Sequence, residues 1–403
     1  MPVVPKIETL GSKPASGGAR GIFRRIFSVV NVPLLIVLIA LSAYGLLIVR
    51  SAIFESELYS ELYSFNRQLL GVAIGMVLMV IIWRLDYHRF AVLVVPLLII
   101  DFLLVLSPLL PIIGEEVNGA RSWINLFGQR IQPAEPAKIL TIVVMAAFVS
   151  KHRGRLDSGR EYLKCLGILI ALLLCIMLQP DLGTGLVFFA IGLTIFFTGG
   201  VSWKWLVITV LTVAAAIALV IYLDPILDEA FGGDVLLKEY QMNRLLVFTD
   251  ESLDPTGAGY NLTQAKIAIG SGGLLGKGLY QATQSTLGFL PEAPTDFIFC
   301  VLAEELGFVG CALLLALYAA LIGVSFWVAA RADDHFGSLI VMGCVGMWVF
   351  QILENIGMTC GLMPIVGIPL PFVSYGSSFM LTNFMALGLI LSVWAHRSAR
   401  KGR

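Results

Sequence analysis

Apolar residues in this chain run in long blocks, without the alternation of a half-buried strand or the stripe of a soluble amphipathic helix. A helix needs about 20 apolar residues to cross the hydrocarbon of a bilayer. Ten blocks come close: Val32–Ile48, Leu69–Trp83, Phe90–Ile113, Ile139–Ser150, Cys165–Leu178, Leu182–Thr198, Leu206–Leu223, Phe297–Ala330, Leu339–Met358 and Ser378–Trp394. Two are short, and extend backwards through Pro136–Lys138 and Phe65–Gln68. The pattern predicts an all-α polytopic membrane protein of about ten transmembrane helices, because closed backbone hydrogen bonding is obligatory in lipid.

The polar segments orient that bundle. With the N terminus inside, 18 of the 27 Lys and Arg fall in cytoplasmic segments, although the outer segments are longer. Residues 1–31 read as a disordered basic cytoplasmic tail, with Arg20, Arg24 and Arg25 set against anionic headgroups. Residues 32–395 form the membrane domain, and 396–403 a second basic cytoplasmic tail. The inner connections are short. The outer ones are long: 224–295 between the seventh and eighth spans, Gly114–Lys138, and the Gly- and Pro-dense Thr359–Ser377. Irregular backbone at membrane depth requires protein or a water-filled cavity around it, so a concave site is expected on the outer face. Within the largest loop, Tyr260–Gly270 puts Leu262, Ala265 and Ile269 on one helical face, as an interfacial or re-entrant helix or a packing helix would.

Composition narrows the class further. Of the 403 residues, 58% are hydrophobic and 13% charged, against roughly 25% charged in a soluble domain. That excludes a secreted disulfide scaffold and a disordered chain. The six cysteines lie in or beside apolar blocks without a Cys-x-x-Cys, and read as small buried hydrophobes.

All four histidines, His88, His152, His335 and His396, fall in predicted inner segments. A Ser-His-Asp triad and a His-ligated zinc site are thereby excluded from the outer face. Proton transfer there must use a carboxylate, Lys, Tyr or Cys. The run Gly270–Gly278 lacks the spacing and the terminal Ser or Thr of a Walker loop, and serves as an anion-approaching backbone or a hinge.

Glu292 and Asp296 precede the eighth span, where an Asp at a helix start is also explained by capping. Glu304 and Glu305 lie two turns further in, as functional charges or as partners of a basic residue on a neighbouring helix. Glu135 and Lys138 share a helical face at the start of the fourth span, as an ion pair or as part of a surface that grips a lipid-linked phosphate. Arg121 and Trp123 belong to the same outer segment, and Asp181 sits in a turn towards the same face. Asp101 and Glu354 are intramembrane charges expected to face the bundle interior.

These same stretches resemble the SEDS family (shape, elongation, division and sporulation), polytopic peptidoglycan glycosyltransferases of bacteria. The resemblance is carried by Gly119-Ala-Arg-Ser-Trp123, Gln132-Pro-Ala-Glu-Pro-Ala-Lys138 and Gln179-Pro-Asp-Leu-Gly-Thr184. Further blocks are Ala265–Gly273, Leu290–Phe299, Ala303-Glu-Glu-Leu-Gly307 and Gly367–Gly376. It runs from the first span to the last, and leans to the elongation (RodA) type over the division (FtsW) type. Pro294 stands where the family commonly has His, Pro136 where it has Leu, and the last motif has one Gly fewer.

What the resemblance implies is polymerisation of lipid II, with Asp296 matching the family's essential aspartate as general base and undecaprenyl diphosphate leaving with inversion. Cations for the leaving group would come from Arg121, Lys138, Arg244, Lys266 and Lys277. With these, Trp123, Glu135, Asp181, Glu292, Thr295 and Ser374 are the expected substrate-side residues. No cofactor is implied for certain; a divalent cation is left open, with no dedicated ligand cluster in the sequence. The implied partners are lipid II, membrane lipids and a class B penicillin-binding protein, with no nucleic acid. The implied location is the bacterial plasma membrane, with both termini cytoplasmic and the site outside. A flippase for lipid-linked precursor, or a non-catalytic scaffold of the wall-synthesis machinery, are the competing readings.

Overall fold

The computed structural model describes residues 30–54, 63–117, 119–126, 129–152, 156, 159–232 and 237–397. The expectations for the two basic tails fall almost wholly outside these residues. The chain is mostly helical. α1 is Val32–Phe54, α2 Phe65–Arg84, α3 His88–Val92 and α4 Val94–Leu106. α5 is Ala134–Ser150, α6 Gly159–Met177, α7 Leu182–Thr198 and α8 Trp203–Phe231. The outer loop contributes α9 (Glu239–Val247), α10 (Ala258–Gly272) and α11 (Thr283–Thr286). α12 (Ile298–Ala329), α13 (His335–Thr359) and α14 (Ser377–His396) complete the set. Six of these, α1, α2, α8, α12, α13 and α14, are long and apolar enough to cross a membrane; Val94–Leu109 and α7 are shorter apolar segments.

Local chemistry sets several boundaries. Asn31 accepts a hydrogen bond from the Leu34 amide at 3.1 Å and starts α1. Asp181 does the same for α7 and Asp334 for α13. The apolar block Phe90–Ile113 is not one helix. Pro96 has no N–H and its ring clashes with the carbonyl four residues back, at Val92, where α3 ends. Beyond α4 the block passes through a 3-10 turn at Ser107–Leu109 into a three-stranded antiparallel sheet, β1 (Gly114–Val117), β2 (Ala120–Leu126) and β3 (Gln129–Ile131). This sheet is the departure from a purely helical reading. It pairs Glu115 with Trp123 and Asn125 with Arg130.

α14 lies along α2, α13 against α7 and α5, and α12 against α1, α10 and α13. α10 is a packing helix, with Leu262, Ala265 and Ala268 buried. α12 breaks at Gly307, whose φ of 62° and ψ of −160° leave the helix. The Gly-rich run after α10 repairs the break. Phe308 and Val309 donate to the carbonyls of Gly273 and Leu274, at 2.9 and 3.1 Å, and the amides of Lys277 and Gly278 donate to those of Glu304 and Glu305, at 3.0 and 2.9 Å. Gly276 (φ 79°) tolerates no side chain here, since a Cβ would sit 2.1 Å from the Glu305 carbonyl oxygen. The run is a splice for a kinked helix, and these two amides are already taken up.

Candidate active site

One cavity of about 840 Å³ lies where the non-helical segments converge. Its wall is built from the start of α5, the sheet, the turn before α7, α9, the turn before α12 and the segment 365–379. Trp123, Glu135, Lys138, Asp181, Glu292, Thr295 and Asp296 all line it, as do Tyr63, Arg67, Arg130, Gln132, Tyr240 and Arg244.

Asp296 sits in the turn ahead of α12, outside the helix. That turn is tight: Glu292 has a positive φ of 55°, and its carbonyl accepts from the amides of Thr295 and Asp296, each at 3.1 Å. Tyr63 Oη donates to Glu292 Oε2 at 2.5 Å, and Thr295 Oγ1 reaches the same oxygen at 3.1 Å. Ser374 holds the turn from behind, donating to the Thr295 carbonyl at 2.6 Å. Gly367, at φ 79°, passes so close that a Cβ would lie 2.9 Å from Asp296 Oδ2. Asp296 is half-buried. Burial against these walls, and the nearby Glu292 charge, push its carboxyl up to about 7, with Arg244 opposing.

Arg244 comes from α9 in the large loop. Its Nη1 donates to the Val366 carbonyl at 3.3 Å, and its guanidinium lies 5.6 Å from the Tyr240 ring centre. α9 is itself docked by Tyr240 Oη and Gln241 Nε2, which both donate to the Pro180 carbonyl, at 2.9 and 3.0 Å. At the start of α5 Lys138 Nζ and Glu135 Oε1 form a buried pair at 2.6 Å, and Lys138 lies 5.7 Å from the Phe379 ring centre. Asp181 caps α7 through the Thr184 amide and hydroxyl, and accepts from Gln132 Nε2 at 3.1 Å. Arg130 pairs with Glu115 at 2.6 Å.

Other expected residues lie elsewhere. Arg121 is on β2 beside cavity-lining Ser122 and Trp123 but does not line the cavity itself. Lys266 is exposed on α10 and packs against Gly361. Lys277 pairs with Glu304 at 2.5 Å, and Glu304 also accepts from the Thr283 amide and hydroxyl. Glu305 accepts from Ser51 at 2.5 Å. The two intramembrane glutamates therefore clamp the outer loop and α1 onto α12. Asp101 accepts from Thr141 at 2.7 Å, between α4 and α5. Glu354 is 3% exposed near the end of α13, on the Asp296 side.

Sequence reasoning did not single out Arg67, Tyr63, Tyr240 or Gln132 as lining residues. Arg67 and Tyr63 flank the start of a span, where a basic residue and an aromatic ring are ordinary interface anchors. Among the described residues no three His, Cys, Asp or Glu side chains converge as metal ligands.

Known proteins resemble this chain over most of its length. A peptidoglycan glycosyltransferase of Escherichia coli K12, MrdB, is 37% identical over 368 residues, covering 90% of this chain and 93% of its own length. A solved chain from a peptidoglycan synthase complex that coordinates polymerization and crosslinking superposes with a TM-score of 0.73 at 28% identity, over 90% of this chain and 97% of its own. The rod shape determining protein RodA of Thermus thermophilus superposes with a TM-score of 0.65 at 26% identity, over 90% of this chain and 96% of its own. Residues 32–399 match the FtsW/RodA/SpoVE family of cell cycle proteins, and the chain belongs to that family.

Proposed function

We propose that this multi-pass membrane protein, a peptidoglycan glycosyltransferase by its family and relatives, polymerises lipid II at the Asp296 cavity. Asp296 takes the proton of the acceptor GlcNAc 4-hydroxyl as that oxygen bonds to the anomeric carbon of the donor MurNAc. The bond from that carbon to the diphosphate breaks, its electron pair leaves with undecaprenyl diphosphate, and the anomeric centre inverts. The observation that carries this reading is one carboxyl group, held up to about 7, in a cavity that also presents guanidinium and ammonium groups.

A carboxylate with that affinity for protons is ionised in useful amount at neutral pH, yet basic enough to accept one. The departing diphosphate gains charge, which preorganised cations stabilise without reorganisation. Arg244 and Arg67 are the groups suited to it, with Lys138 held ready by Glu135. Tethering both substrates to one bilayer removes much of the entropy of bringing them together. The cavity opens to the outer face, both termini lie in the cytoplasm, and the partner is a class B penicillin-binding transpeptidase that crosslinks the product. The elongation type is favoured by the RodA and MrdB likenesses.

The test is purified protein in nanodiscs, with and without its co-purified transpeptidase, given labelled lipid II. Wild type makes polymer, and correctly folded Asp296→Asn makes none. Lipid II translocation without polymer by both proteins would replace this reading with a flippase.

A further inference from the structure

Two arginines and two tryptophans meet where α12 and α14 end, on the face of the molecule away from the cavity. α12 starts two residues after Asp296, and α14 starts at cavity-lining Ser377, so both helices carry their C-terminal ends to the far face. The rings of Trp327, from α12, and Trp394, from α14, stack with their centres 4.4 Å apart. The Arg331 guanidinium lies over Trp327, 4.1 Å from the ring centre, and the Arg397 guanidinium over Trp394, at 2.9 Å.

Ordinary anchoring explains part of this. Cations are favoured at helix C-termini, and tryptophan is common at a membrane interface. It does not explain the rest. Trp394 is 5% exposed, and its Nε1 has no acceptor. Arg397 Nη1 is shut from the surface without one as well. Asp334, one of the two acids that follow Arg331 closely in the chain, is committed to His88, to the Tyr87 hydroxyl and to the Gly337 amide. Among the described residues neither guanidinium forms an ion pair. Burial, and then the Arg331 charge, press against the charged form of Arg397, with Asp333 opposing. Two like charges gathered over buried donors that lack an acceptor are the features of an anion site.

We propose that Arg331, Arg397 and the Trp394 N–H bind the headgroup phosphate of an anionic phospholipid from the adjoining leaflet. Guanidinium groups match phosphate oxygens in pairs, and the indole N–H adds a donor. The ligand is a lipid because α12 and α14 are each long and apolar enough to cross a membrane, which sets their ends at headgroup depth. Trp327 and its neighbour Phe326 are 40% and 47% exposed, and offer apolar surface to acyl chains. The lipid is anionic because a zwitterionic headgroup brings its own cation against two guanidiniums. Bound there, it ties together the far ends of two helices whose near ends build the cavity. The site does not depend on the reading of Asp296.

The test is purified full-length protein in detergent with added phosphatidylglycerol or phosphatidylcholine, the lipids retained being counted by native mass spectrometry. Wild type keeps phosphatidylglycerol over phosphatidylcholine by about fivefold or more, and melts higher in its presence. Arg331→Gln/Arg397→Gln loses that preference. Lys151→Gln/Lys204→Gln removes the same charge from exposed positions at the same face, and changes retention less than about twofold. Equal losses in the two double variants would reduce the effect to diffuse surface charge and overturn the site. Equal thermal protection by inorganic phosphate at the same concentration would make the ligand a free anion and overturn the lipid. If the double variant does not fold, exposed Arg331 alone decides: retention by Arg331→Gln falls about threefold, and unchanged retention overturns the proposal.

Discussion

Asn355 holds the main-chain oxygen of Asp296 from the end of α13, at 2.7 Å, and uses the same nitrogen to hold Ile368. The turn that presents the carboxyl group and the Gly-rich segment that walls it are therefore locked to one buried amide. Asn355→Ala leaves two buried carbonyls without a donor, which costs about 1–3 kcal/mol. The expected result is a lower melting temperature and a kcat reduced about tenfold or more, with KM changed far less. Steady-state polymerisation over a range of lipid II concentrations checks the split.

The pH dependence follows from Asp296. The base must be ionised, and its carboxyl is raised to about 7 from the usual 3.8. Polymerisation is then supported above about pH 7 and lost as pH falls through it. Stability runs the other way. Between about pH 4 and 7 the folded chain keeps a proton that the unfolded chain has lost, so this group lowers stability as pH rises through that window. Asp296→Asn should raise the melting temperature at pH 8 and leave it unchanged at pH 4, which differential scanning fluorimetry at the two pH values checks.

The buried pair Glu135–Lys138 gives an asymmetric expectation. Removing one partner leaves an uncompensated buried charge and costs about 3–5 kcal/mol, whereas replacing both with apolar residues is often neutral. Glu135→Leu alone should melt well below Glu135→Leu/Lys138→Met. The double variant should still lose polymerisation, because the cavity has lost a cation. Melting curves and polymer yield on the three proteins check this.

Lys277 and Arg244 should separate cleanly. Lys277 is tied to Glu304 and the splice at Gly307, away from the cavity lining. Lys277→Met should speed proteolysis of the outer loop while kcat/KM falls less than threefold. Arg244→Met should leave proteolysis unchanged and lower kcat/KM by about 100-fold, roughly 2.7 kcal/mol of transition-state stabilisation.

How far the sequence led can be judged from particular residues. Block length located α2, α7, α13 and α14 within a few residues and stopped six residues short of the end of α1, because burial of a helical backbone in lipid demands an unbroken apolar run. The block Phe90–Ile113 misled by continuity: Pro96 and Pro108 divide it, and composition alone does not say whether a proline kinks a span or ends it. β1–β3 went unseen because a short alternating stretch such as Ala120–Leu126 carries little weight beside the spans around it. Asp296, Glu135, Lys138 and Asp181 were each legible as charges near one face, and all four line the cavity. Partners distant in sequence were not. Glu304 finds Lys277 through the break at Gly307, and Arg244 reaches the 366–368 backbone only because Tyr240 and Gln241 dock α9 on Pro180.

The central claim is that Asp296 acts in bond formation and not in holding the substrate. Single-turnover glycosidic bond formation by Asp296→Asn, measured beside lipid II binding in the same nanodiscs, tests it most directly. The account predicts binding within about threefold of wild type and bond formation slower by about 100-fold to 10,000-fold, the usual range for a general base. Bond formation at the wild-type rate, by a variant that binds lipid II normally, would contradict it.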